Sequence, residues 1–378
     1  MKLHFKTEKN IFGVALILVV VILILGSSIR GGHRAATSLY PLINDTWYSV
    51  LNAMREKTPE DAIINSWWDF GDWFKVIARR RVIFDGQSQN NPQAYWMAKA
   101  LLTNNENEAI GILRMLNNGG NKAFDIIHEH IKDPLEAVML LEAVIPLPNE
   151  EAKQMLEKFL SAETVDNVMR MLFSRPSNAC FVVENTMLHK MSAISYLGNW
   201  DFSKVYMAQT FDSKEKDYIM DHLRKLGSYS ADTERFYQEV FLISTKNLDE
   251  WLSQKLQVYT ALVDGQEAED GNIYFGNNFI YNPKDKTIGS NTGQIPRSLF
   301  VLDGNTFSET ASVNANVIFS AVVFKKDDTY KCIMMDRELA ASMFARLYFF
   351  KGAGLRHFAP LIDMEEKNIY IRVFNIVW

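Results

Sequence analysis

Apolar residues fall into three textures along this chain. The first is a solid block. Lys2, Lys6 and Lys9 precede an uncharged run over residues 10–29, which is continuously apolar from Val14 to Leu25. A helix that crosses a bilayer needs roughly 20 mostly apolar residues. Residues 1–34 are therefore expected to hold one transmembrane helix and its flanks. A basic start, an apolar stretch and the small Gly26, Ser27 and Ser28 also suit a cleaved signal peptide. On either reading the chain beyond Gly31 is expected to lie outside the cytoplasm.

The second texture has helical periodicity. Leu42, Ile43, Trp47, Val50, Leu51 and Met54 recur at helical spacing until Lys57-Thr58-Pro59 breaks the pattern. Ala62-Ile63-Ile64 reads as a short buried strand, and Val82-Ile83-Phe84 as a second one stopped by Asp85-Gly86. Pro92 suits the first turn of a helix over 92–102. Further helices are expected over 106–116, 123–131, 134–144, 150–160 and 164–173, with turns at Asn118-Gly119-Gly120 and Pro146-Leu147-Pro148. Residues 179–183 have strand composition and run straight into a helix over 185–195. Strand followed by helix, twice, predicts a mixed α/β core over 35–255.

The third texture begins after Leu256. Short β-rich runs at 258–263, 273–275, 299–302, 317–324 and 331–335 are separated by Gly, Asn and Asp. Residues 256–378 are expected to be β-rich, with one helix over 338–349 and a terminal strand over 369–374. The fold class is thus α+β.

Composition narrows the function classes. The 378 residues are 48% hydrophobic and 22% charged, an ordinary globular balance. A net charge of -5 argues against nucleic acid as a partner. Cys180 and Cys332 read as two buried thiols, with a disulfide as the alternative. No CxxC supports a zinc or redox site.

Candidate chemistry concentrates in Trp67-Trp68-Asp69-Phe70-Gly71. Two indole N–H donors and a carboxylate acceptor suit a small hydroxyl, which both donates and accepts. The plainer alternative is that the aromatics are core and Asp69 caps a helix over 72–78. Other candidates are weaker. His128-Glu129-His130 lacks the four-residue spacing that puts two imidazoles on one helical face. Asp264, Glu267, Glu269 and Asp270 form an acidic loop without the EF-hand pattern. Asp69 with Asp72 is a poor glycosidase pair, and Asn44-Asp45-Thr46 is itself a glycosylation sequon.

The residues that follow the pentapeptide resemble one family in order and spacing. They are Gly71-Asp72-Trp73, Asp85-Gly86-Gln87-Ser88-Gln89-Asn90, Ala94-Tyr95-Trp96-Met97-Ala98 and Ala100-Leu101-Leu102-Thr103. The family is the catalytic subunit of oligosaccharyltransferase, whose hallmark is WWDYG; Phe70 stands here in place of its Tyr. A second signature of the family, DxxMxxKxxxI, is matched by Glu184, Met187, Lys190 and Ile194, with Glu for Asp. Steps of three, three and four residues put all four on one helical stripe, able to line one wall of a pocket. An amphipathic core helix with a snorkelling Lys190 is the plainer alternative. Residues 342–349 and 354–358 also resemble the family.

The resemblance implies that Trp67, Trp68 and Asp69 bind the hydroxyl of the Ser or Thr two places after an acceptor asparagine. It implies that Met187, Lys190 and Ile194 approach the same residue. It places glycan transfer, a divalent metal (Mn or Mg) and the lipid-linked oligosaccharide site in a multi-pass membrane domain, so no catalytic or metal-ligating residue is expected in this chain. The expected partners are a polypeptide carrying Asn-x-Ser/Thr and the membrane. A secreted or anchored carbohydrate-binding module, with the Trp pair stacked on sugar, is the competing function.

Overall fold

The computed structural model describes residues 21, 25, 26, 28–33, 43–243, 247–276, 278–303, 306–326, 328–366 and 369–378. Two compact units are present, 1–48 and 49–378. In the first, residues 28–33 are helical, and Asn44 Oδ1 accepts the Trp47 N–H at 2.9 Å where the helix Asp45–Lys57 begins. The apolar run expected to cross a membrane lies mostly outside the described residues. Among the described residues no helix is long and apolar enough to do so.

The second unit contains two sheets. The first has the order β12-β13-β3-β1-β2, with β1 at Ile63–Asn65, β2 at Arg81–Val82, β3 at Ala179–Glu184, β12 at Phe358–Glu366 and β13 at Ile369–Ile376. β1 runs parallel to both β2 and β3, while β13 pairs antiparallel with β3. β3 therefore has a strand on each side, and all six of its residues are buried. Its unbroken Ala-Cys-Phe-Val-Val run suits a strand covered on both faces.

The second sheet has the order β7-β6-β5-β4-β11-β10-β8-β9. Its strands are β4 Val263–Glu267, β5 Ile273–Phe275, β6 Phe279–Asn282, β7 Thr287–Ser290, β8 Ser298–Asp303, β9 Thr306–Ala311, β10 Ser320–Lys326 and β11 Thr329–Met335. Successive strand residues point to opposite faces, and this sheet uses both. Ala321, Val323, Cys332 and Met334 pack with Ile273, Phe275 and Tyr281 in a separate small core. Val322, Phe324, Ile333 and Met335 pack into the main core with the helices.

Helices over the middle of the chain begin where the sequence supplies caps. Pro92–Leu102 and Pro134–Val144 have the expected bounds, each opened by proline. Asp133 accepts the Leu135 and Glu136 N–H groups, and Asn105 does the same for Asn107 and Glu108 at the start of Glu106–Gly119. That helix runs through the expected turn at Asn118-Gly119 and stops at Gly120, whose φ of 62° suits glycine.

Three expectations shift. The single helix over 338–349 is two, Arg337–Ala341 and Met343–Tyr348. Ser342 leaves the helical region (ψ 160°) and caps the second with its hydroxyl, 3.2 Å from Ala345 N. The strand at 258–263 reduces to an isolated bridge between Val258 and Met335, followed by β4. β6, β7, β9 and β12 carry weak alternation and had no counterpart among the expected runs. Cys180 and Cys332 are buried free thiols in different sheets, and burial pushes Cys180 up to about 12.

Candidate functional site

β1 and β3 are adjacent and parallel, with Ile64 opposite Cys180 and Asn65 opposite Phe181. Their carboxyl ends point the same way. The chain leaves β1 into Ser66-Trp67-Trp68-Asp69 and leaves β3 into Asn185-Thr186, so two motifs far apart in sequence emerge side by side. Ligands of open parallel sheets bind outside such carboxyl ends. Asn65 pins this edge. Its buried amide donates to the Cys180 carbonyl at 3.2 Å and accepts from Asn117 Nδ2 at 2.8 Å. Ser66 Oγ donates to the Val182 carbonyl at 3.1 Å.

Trp67 is 4% exposed and packs edge-to-face on Phe84, with ring centroids 5.8 Å apart. Its ring is core. Trp68 is half-buried and opens a single 3-10 turn, Trp68–Phe70. Asp69 sits in that turn and does not cap the helix Gly71–Val76, which has no side-chain cap. Its Oδ1 instead pairs with Lys190 Nζ at 2.6 Å. Among the described residues, Asp69 Oδ2 and the indole N–H groups of Trp67 and Trp68 have no hydrogen-bond partner.

Gly71 is required by space. A Cβ there would lie 2.6 Å from Asp85 Cβ and 2.8 Å from Asp85 Cα. Asp85 folds the next loop, accepting from Gln87 N at 3.0 Å and Ser88 N at 3.1 Å. Lys75 bridges Asp85 at 2.5 Å and Asp72 at 2.8 Å. This cation holds the Asp85 carboxyl below the usual carboxylate range.

Glu184 is the last residue of β3, not the first of a helical stripe. Its carboxylate is 1% exposed and closes the start of the helix Thr186–Gly198. It accepts from Thr186 N at 2.6 Å, Thr186 Oγ1 at 2.6 Å and Met187 N at 3.0 Å. Burial raises its pKa, against the pull of these bonds and of Lys190. Met187 and Ile194 are fully buried in the main core, so Lys190 is the member of the second motif that meets the first.

Thr186 and Lys75 were not singled out from the sequence, and Asp85 entered only as a strand stop and within a stretch that resembles the family. Thr186 had a signal, a hydroxyl residue at a helix start two places after a carboxylate; the Lys75–Asp85 pair had none. Elsewhere the weaker candidates separate. His128 stacks on Phe124 at 5.5 Å, and Asp264 pairs with Lys331. Among the described residues no group of three His, Cys, Asp or Glu is arranged to hold a metal ion.

Comparison with known proteins adds an independent line. Residues 59–204 match the STT3/PglB/AglB core domain. A dolichyl-phosphooligosaccharide-protein glycotransferase of Methanocaldococcus jannaschii is 26% identical over 340 residues, 85% of this chain and 32% of its own length. One of Methanococcus voltae is 28% identical over 359 residues, 87% of this chain and 36% of its own length. The chain thus spans about a third of the length of these curated relatives. Among solved structures, the C-terminal domain of C. jejuni PglB aligns over 88% of this chain and 99% of its own, at 14% identity and a TM-score of 0.40.

Proposed function

We propose, on the premise that residues 59–204 are an STT3/PglB/AglB core domain, that this chain recognises the acceptor sequon for a membrane oligosaccharyltransferase. The complete enzyme transfers a lipid-linked oligosaccharide to the asparagine of Asn-x-Ser/Thr. Recognition falls to this chain. Transfer, its divalent metal and the lipid-linked donor fall to a multi-pass membrane part. The apolar N-terminal run anchors the chain, and the bulk of it lies outside the cytoplasm.

The observation that carries this reading is the ion pair between Asp69 and Lys190. It joins the two signature motifs at the carboxyl ends of β1 and β3. Lys190 occupies Oδ1 and leaves Oδ2 to accept a hydrogen bond from the Ser or Thr hydroxyl. An indole N–H of Trp67 or Trp68 donates to the oxygen of that hydroxyl. Phe70 in place of Tyr removes no group from this set. Met187 and Ile194 back the Lys190 helix from within the core, and Glu184 anchors its start.

A valine in the Thr position leaves the carboxylate and the indole donor unpaired in the complex. Such a loss costs about 1.5–3 kcal/mol where a charged group is involved. In an NMR titration with an Asn-x-Thr peptide, Thr→Val is expected to weaken binding about tenfold to a hundredfold. Asp69→Ala is expected to erase the difference between the two peptides. Equal affinity of the wild-type chain for both would overturn the reading, and binding of free glycans regardless of peptide would favour a carbohydrate-binding module.

A further inference from the structure

We infer that Thr186, at an unspecified position of the second motif between Glu184 and Met187, is a positioning residue for the acceptor hydroxyl, acting through Lys190 on Asp69. The inference rests on the sequon reading above.

The argument starts from one proton. A threonine hydroxyl has a single O–H to give. Thr186 Oγ1 lies 2.6 Å from Glu184 Oε1, a carboxylate oxygen that can only accept while ionised. The hydroxyl proton is committed there, so the oxygen's lone pairs face outward as an acceptor. Lys190 Nζ donates to that oxygen at 3.3 Å.

The ammonium is then held from three sides. It gives one proton to Thr186 and one to Asp69 at 2.6 Å, and it lies 5.8 Å from the centroid of the Phe70 ring. A lysine has three donors on a flexible stem and ordinarily surrenders much rotamer freedom to hold one geometry. Here a buried carboxylate, through a β-branched side chain that is stiff at χ1, supplies the fixed point. Direction passes from Glu184 to Thr186 to Lys190 to Asp69. Asp69 is thereby presented with Oδ1 occupied and Oδ2 turned to the ligand. Without the Thr186 acceptor, Lys190 can swing and take either oxygen of Asp69.

The backbone cap does not depend on the hydroxyl, because Thr186 N and Met187 N bond Glu184 directly. Thr186→Val keeps the shape and the two backbone bonds of the cap and removes the hydroxyl, both its bond to Glu184 and the acceptor for Lys190, while Thr186→Ser keeps both. In the full chain, Thr186→Val is expected to weaken an Asn-x-Thr peptide about threefold to tenfold and to leave an Asn-x-Val peptide unchanged. Thr186→Ser restores discrimination. The Lys190 ammonium protons, followed by side-chain NMR without peptide, are expected to exchange faster in Thr186→Val than in wild type or Thr186→Ser. A Thr186→Val chain that unfolds at the wild-type temperature, discriminates as well as wild type and shows unchanged ammonium exchange overturns the inference. Wild-type chain that fails to discriminate the peptides sinks the sequon reading instead, and the ammonium signal then decides Thr186 alone.

Discussion

At Glu184 two effects oppose each other. Burial raises its carboxyl above the ordinary value near 4.5, while the bonds from Thr186 and Met187 favour the charged form and offset part of that rise. Burial is the larger effect, so the folded chain keeps this proton to a higher pH than the unfolded chain does. The folded state then binds more protons across that window, and stability falls as pH rises from about 4.5 through the raised folded value. Glu184→Gln removes the titration. The stability of wild type relative to Glu184→Gln is therefore expected to decline with rising pH, by at most about 1.4 kcal/mol per unit. Urea midpoints of the two chains across pH 4–7 measure this; a difference that grows with pH would contradict the burial argument. Asp85 has the opposite sign. Its carboxyl is held low by Lys75, so its contribution is present above the unfolded pKa and is lost as pH falls through the folded one.

Among the elements, the crossing of two helices helps to place the one that carries Lys190. Thr186–Gly198 packs on Pro92–Leu102, and at Gly198 the other helix leaves no room for a side chain. A Cβ at Gly198 would lie 2.7 Å from Ala98 C and 2.8 Å from Lys99 N, both backbone atoms that cannot swing aside. Replacing a helical glycine by alanine ordinarily gains about 1 kcal/mol in propensity. Overpacking costs about 1–3 kcal/mol, and more when backbone must move. The steric effect is expected to win. Gly198→Ala should lower the melting temperature and weaken Asn-x-Thr peptide binding together, because the helix that carries Lys190 is displaced. A melting temperature at or above wild type would show that the helices can part freely.

For the whole molecule, the C-terminal hairpin is part of the site's foundation. β13 pairs with β3 from Ile371 opposite Glu184 to Asn375 opposite Cys180, and Phe358, Phe374 and Ile376 enter the main core. Arg372, 4% exposed, pairs with Asp363 at 3.1 Å across the hairpin. Domains are stable by only about 5–15 kcal/mol, and loss of several buried aromatic and aliphatic side chains at roughly 2–5 kcal/mol each exceeds that. A chain ending at Arg356 is expected to lose cooperative unfolding and near-UV circular dichroism; a truncated chain that melts cooperatively near the wild-type temperature would refute the dependence. Local sequence was enough for the capped helices and for the strand-to-helix order at Trp67 and Phe181, because proline, capping side chains and apolar period act within one or two turns. It was not enough for Glu184, which ends a strand and caps from below, nor for the choice between a helix-capping and a lysine-paired Asp69. Periodicity records that a face is buried, not what covers it. Strand pairing and ion pairing join residues across long stretches of chain, so only the tertiary structure put Lys190 between Thr186 and Asp69 and set the C-terminal hairpin against β3.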